Sequence, residues 1–247
     1  MRARGWLTAL LILALTVVAS SSGADAKSTT LTGLHRALAS GRTYWLSGTG
    51  NTLVIGLPGT GLDAQNANDT FWSTGNAATT GWQQHARDNG YVLALGESLA
   101  GDWNVGGGWA GGPQDDVGYL LAIVADAAAV DGPFARVFVA GFSAGGALAW
   151  DACALHPEVF TACGSASGWA PVPATTPIDF WHVHGTADTT VPIRGGAGTR
   201  SFVFPAALSE AAHAPRGSRV VLEPTSGGHG TAGWMAARLW SFWTAGR

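Results

Sequence analysis

The sequence predicts an α/β fold with a mostly parallel central sheet flanked by helices, and three observations predict it. Short apolar runs bounded by glycine alternate with longer amphipathic stretches. The runs LVIGL and VFVAG are nearly continuously apolar, as strands buried on both faces are. Only 12% of residues are charged while 47% are hydrophobic, which suits a large core and excludes a disordered chain.

The first residues stand apart from this pattern. Arg2 and Arg4 give a positive start, Leu7 to Ala19 form an uncharged apolar run, and Ala24-Asp25-Ala26 supplies small residues for a cleavage site. The run is about 13 residues, short of the roughly 20 that span a bilayer, so residues 1–26 read as a signal peptide and not as an anchor. Cleavage near Ala26 would send a single domain, 27–247, out of the cell; no linker or repeat suggests a second domain, and a monomer without stable membrane association is expected. Without Arg2, Arg4 and Asp25, the 13 basic and 16 acidic side chains fall to 11 and 15, a net charge of −4. No basic stripe invites nucleic acid or an anionic membrane.

Along the remaining chain, strands are predicted over Thr52–Leu57, Tyr91–Leu95, Arg136–Ala140, Ala162–Ser165, Phe180–Val183 and Arg219–Leu222. Helices are predicted over Thr79–Asp88, Asp115–Val130, Ala144–His156, Pro205–His213 and Thr231–Ala245. Cys153 and Cys163 are the only cysteines. Export would place them in an oxidising compartment, where a disulfide is favoured over two small buried thiols. Their spacing matches neither a zinc site nor a redox CxxC, and no metal or cofactor is implied.

In a parallel sheet, function gathers at the carboxyl ends of the strands. One such end carries Gly141-Phe142-Ser143-Ala144-Gly145, between a strand and a helix. This is the GxSxG pattern of a nucleophile elbow, in which flanking glycines allow close backbone approach and the serine Oγ meets the positive helix terminus. A serine hydroxyl is a poor nucleophile at neutral pH, so it needs a histidine base and a carboxylate to orient that base. Asp188 follows the strand FWHV and His229 follows the strand RVVLE, both on the edge of the sheet that holds Ser143. Asp179 begins its strand and should face the other edge. His182 and His184 read as core or supporting residues, and His35, His85, His156 and His213 fall in or beside predicted helices. The Ala144 amide is one expected oxyanion donor; Thr60, in the turn Pro58-Gly59-Thr60-Gly61, supplies the other.

The stretch from Asp115 through Gly168, together with HGTADTTVPIRGG from His184, GGHG from Gly227 and Asp102-Trp103-Asn104, resembles the secreted poly(3-hydroxybutyrate) depolymerase and feruloyl esterase family of α/β-hydrolase serine esterases. The resemblance implies a Ser143, Asp188 and His229 triad and an ester substrate that is polymeric, oligomeric or aromatic. The chain departs from that family at Pro58, where a histidine-glycine pair is usual, and at Gly96, where proline is common. The Pro-Gly pair is similar to that of cutinase-like polyesterases. Only 45 positions separate Ser143 from Asp188, too few for a large cap domain.

Trp103 and Trp109 lie in the glycine-rich loop that begins at Gly101, where they either stack on substrate or are buried as loop tryptophans commonly are. Trp234, Trp240 and Trp243 follow helical spacing and are expected in the core. Two other readings of the same residues are acyl transfer to a sugar and a non-catalytic, tryptophan-rich polymer-binding module.

Overall fold

A computed structural model describes residues 30–70, 81–109, 111–206, 214–231 and 234–245. Residues 1–26, expected as a signal peptide, and most of the helix expected over Pro205–His213 lie outside the described residues. Eight strands form one sheet: β1 (Leu34–Ala37), β2 (Thr43–Gly48), β3 (Thr52–Leu57), β4 (Val92–Gly96), β5 (Arg136–Phe142), β6 (Ala162–Ala166), β7 (Asp179–Gly185) and β10 (Arg219–Thr225), in the spatial order β1-β2-β4-β3-β5-β6-β7-β10. β3 to β7 and β10 run parallel, while β2 pairs antiparallel with both β1 and β4. A separate two-stranded piece, β8 (Gly196–Ala197) with β9 (Val203–Phe204), lies between the last two strands in sequence.

β3, β4 and β6 are buried at every position, which is why their sequences are apolar or small without alternation. The helices that cover them are α1 (Ala64–Thr70), α2 (Trp82–Asn89), α3 (Asp116–Asp131), α4 (Ala144–Leu155) and α5 (Met235–Thr244). α3 and α4 pack with one face of the sheet, around Leu53, Ile55, Leu120, Ile123 and Leu148. α1, α2 and α5 cover the other, around Val54, Leu93, Phe138, Leu239 and Trp243. Each large side chain so buried contributes about 1.5–3 kcal/mol relative to exposure. α3 starts because the Asp115 side chain accepts the Gly118 amide at 2.7 Å, and α2 stops at Gly90, whose φ of 66° a side chain would disfavour.

The edge hairpin β1–β2 is held to the body by charge as well as by its ladder. The Arg36 guanidinium and the Tyr44 hydroxyl both donate to Asp126 on α3, and Arg36 pulls the Asp126 carboxyl down to about 2. His35 therefore belongs to a strand, not to a helix. Of the three C-terminal tryptophans, Trp243 is buried and Trp240 half-buried, whereas Trp234 is 41% exposed and stands edge-on to Trp181 instead of entering the core.

Cys153 on α4 and Cys163 on β6 are disulfide-bonded, with Cα atoms 6.2 Å apart. The bond closes a loop of about 10 residues, worth about 3 kcal/mol on loop-closure grounds. Replacing both cysteines with alanine is expected to lower the melting temperature by several degrees in a thermal scan while leaving the far-UV spectrum of the folded state unchanged.

Candidate active site

Ser143 sits where β5 becomes α4, with φ 54° and ψ −122°. A non-glycine residue at positive φ costs about 1–3 kcal/mol and persists only when its surroundings impose it. They do so here through two bonds, Ser143 N–H to Ala166 O at 2.8 Å and Ala147 N–H to Ser143 O at 3.1 Å. A Cβ on Gly141 would collide with the backbone of Gly145, and one on Gly145 would collide with the Pro58 carbonyl. The two glycines of the pattern are thus required by contact between three backbone segments.

That contact sets the second loop of the site. Trp103 Nε1–H donates to Pro58 O at 2.7 Å, Gly61 N–H to Gly101 O at 2.7 Å, and Thr60 Oγ–H to Asp102 Oδ1 at 2.8 Å. The amides of Thr60 and Ala144 have no acceptor among the described residues, as an oxyanion site requires.

β7 and β10 pair in parallel up to Gly185 opposite Thr225, which brings the loops that follow them together. Asp188 comes three residues after that pair and His229 four, and His229 Nδ1 lies 2.8 Å from Asp188 Oδ2. An ionised carboxylate only accepts, so Nδ1 carries the hydrogen and Nε2 is left able to take up a proton. Asp188 Oδ1 accepts the amides of Thr190 and Val191, each at 2.9 Å. Burial pushes the Asp188 carboxyl up, but hydrogen bonds from His184, His229 and the Val191 amide outweigh it and hold it well below the usual range. The His229 loop is pinned by Ser167, a second positive-φ serine, whose hydroxyl lies 3.1 Å from Gly230 O and 3.3 Å from Gly230 N. Phe142 packs its ring 4.9 Å from that of His229.

Ser143, His229 and Thr60 face one cavity of about 450 Å³, walled by Trp109, Trp169 and Val191. Trp109 lines this cavity, though it is only 7% exposed and packs against Trp169. Trp103 does not: it is fully buried, and its indole N–H is taken by Pro58, so it supports the Pro58–Thr60 loop instead of lining the cavity.

Several contributors escaped the sequence. Arg200, in the turn between β8 and β9, lines the cavity, lies 5.0 Å from the Trp109 ring and ion-pairs with Asp102 at 2.5 Å. The loop carrying both tryptophans is tied down by three buried carboxylates. Asp102 accepts the Trp103 amide, Asp116 the Asn104 amide and Asp151 the Gly106 amide. All three fall in segments that carry the family resemblance, Asp102-Trp103-Asn104 and Asp115 through Gly168, which assigned them no role.

With this geometry in hand, comparison with known proteins identifies the architecture. No protein-family model matches the chain. A Thermus thermophilus protein, TT1662, superposes with a TM-score of 0.60 at 15% identity, covering 87% of this chain and 99% of its own. Maize acyl-protein thioesterase 2 gives 0.55 at 17% identity over 81% of this chain and 98% of its own. The fold is the α/β-hydrolase fold. Within it, Ser, Asp and His follow one another in the chain order that this fold uses. By sequence, a probable carboxylesterase of rice (Oryza sativa subsp. japonica) is 34% identical over 116 residues, 40% of this chain and 43% of that protein. The chain spans less than half the length of the curated relatives it matches.

Asp151 makes one site feature measurable. Burial raises its carboxyl to about 7, against a lowering effect of the Gly106 amide. In the folded protein it therefore holds a proton that the unfolded chain gives up near 3.8. The stabilisation is complete below that value and is lost as pH rises to about 7, at up to about 1.4 kcal/mol per pH unit. Asp151→Asn keeps an oxygen for the Gly106 amide and cannot ionise. Its melting temperature is expected to fall less than that of the unmodified protein between pH 5 and pH 8; equal slopes would contradict the assignment.

Proposed function

We propose that the protein is an exported, monomeric serine esterase that hydrolyses carboxylic esters through an acyl-enzyme on Ser143. The observation that carries this reading is the pairing of His229 Nδ1 with Asp188 beside a cavity that Ser143 also faces. Ser143 Oγ attacks the ester carbonyl carbon while His229 Nε2 takes its proton, and the tetrahedral oxyanion is held by the Thr60 and Ala144 amides. Collapse breaks the bond to the alcohol, which leaves with the proton from His229. His229 then deprotonates a water that attacks the acyl carbon, releasing the acid and restoring Ser143. Asp188 keeps its charge throughout and stabilises the imidazolium.

The acyl group is an aromatic or hydroxyalkanoate one, feruloyl or hydroxybutyrate-like, in this proposal. Two tryptophan faces supply the apolar wall, and Arg200 stands beside them. With one nitrogen held by Asp102, the other N–H groups of its guanidinium remain to bind a second oxygen of the acyl chain, such as a phenol or a neighbouring ester carbonyl. The 34% identity to a rice carboxylesterase supports ester chemistry and leaves the acyl group to be established by assay.

Ser143→Ala should lower kcat on p-nitrophenyl butyrate by about 10⁴-fold or more. Arg200→Met should lower kcat/KM on methyl ferulate or hydroxybutyrate oligomers by about tenfold, the scale of one charge-assisted hydrogen bond, while p-nitrophenyl acetate changes by less than about twofold. Absence of ester hydrolysis by the folded wild type, or its survival in Ser143→Ala, would overturn the esterase reading. A uniform loss in Arg200→Met would overturn only the acyl assignment.

A further inference from the structure

Asp188 has a second imidazole. His184, 1% exposed at the end of β7, places Nε2 2.7 Å from Val191 O and 3.2 Å from Asp188 Oδ2. Its Nδ1 is 2.9 Å from Nε2 of His182, which is fully buried. A carbonyl oxygen can only accept, so the hydrogen of His184 sits on Nε2 and is shared between Val191 O and Asp188. A charged ring here would be a buried cation competing for the one carboxylate that His229 uses, so the ring is neutral and Nδ1 is an acceptor. His182 must then donate from Nε2. The direction of each bond in the row from His182 through His184 to Asp188 follows from the acceptors at one end, Val191 O and Asp188.

With this row, Asp188 is held on all sides: two amides on Oδ1, and His184 and His229 on Oδ2. We propose that His184, oriented by His182, is a positioning residue for the triad acid. It fixes the plane of the carboxylate against His229 and takes up part of its charge. That sharing lets His229 give its proton to the leaving alcohol instead of retaining it. The proposal rests on the reading of Ser143, His229 and Asp188 as a triad, and it adds a donor on the far side of the acid.

The test is the rate at which a fluorophosphonate labels Ser143, followed from pH 5 to 9, since this reaction needs the nucleophile and base but no particular acyl group. His184→Met removes the donor at similar volume, and His184→Gln returns an amide N–H near the place of Nε2. The Met variant is expected to label about ten- to a hundredfold more slowly, the range seen when a partner that orients a functional ligand is lost. Saturation behaviour should stay within about twofold. The acid limb of its profile should move to higher pH, because Asp188 then directs its full charge at His229. The Gln variant should recover most of the rate and the original limb.

Labelling of the Met variant at the wild-type rate would overturn the proposal, as would Met and Gln variants equally slow with the acid limb unmoved. If the Met variant does not fold by thermal melting, the Gln variant decides alone. A rate and limb near wild type support the proposal, and a slow rate with an unmoved limb overturns it. An unlabelled wild type would remove the triad, and this proposal with it.

Discussion

The backbone of Ser143, forced to positive φ between β5 and α4, is the constraint around which the rest of the molecule is arranged. Holding it costs about 1–3 kcal/mol, and the turn exists only because the central strand on one side and a buried helix on the other leave no alternative. The same tight turn brings Gly145 against the Pro58 carbonyl, which places the Thr60 loop beside the start of α4. Trp103 then clamps that loop from behind. A side chain at Gly145 would push the Pro58–Thr60 loop away from the start of α4, and so from Ser143, while leaving Ala144 in place.

Environment assigns different duties to chemically identical carboxyl groups. Asp188 is buried among donors and stays ionised, whereas Asp151 is equally buried, has one amide donor and holds its proton to about pH 7. Asp102 ties three parts of the cleft together: Thr60, the Trp109 indole and Arg200. Asp102 remains bound to Thr60 and the Trp109 indole whether or not Arg200 is present, so the two sides of the cleft do not depend on that arginine.

The parts of the fold that the sequence made legible are those where burial dictates composition. β3, β5 and α4 read correctly because strands covered on both faces must be apolar and a helix must follow the elbow. β1 and β2 were missed because an edge hairpin with one exposed strand, Leu34–Ala37, carries neither a continuous apolar run nor clean alternation. The residues proposed as the triad could be located because strand ends are visible in sequence; their distances could not. Trp103 was misassigned because a glycine-rich loop looks exposed unless its anchors are known, and those anchors, Asp116 and Asp151, come from helices outside the loop. Arg200 was invisible for a related reason. The Ser143–Asp188 spacing speaks only to a cap inserted there, whereas the β8–β9 piece that carries Arg200 follows the acid.

The most direct test of the account is to map where an active-site phosphonate attaches. After brief treatment of the folded protein, tandem mass spectrometry of the digested chain should find a single modified residue, Ser143. Modification should be absent in protein unfolded before treatment, where neither the strained turn nor His229 is in place. Attachment at another residue, or equal modification of the unfolded chain, would contradict the claim that this turn and its histidine create the nucleophile.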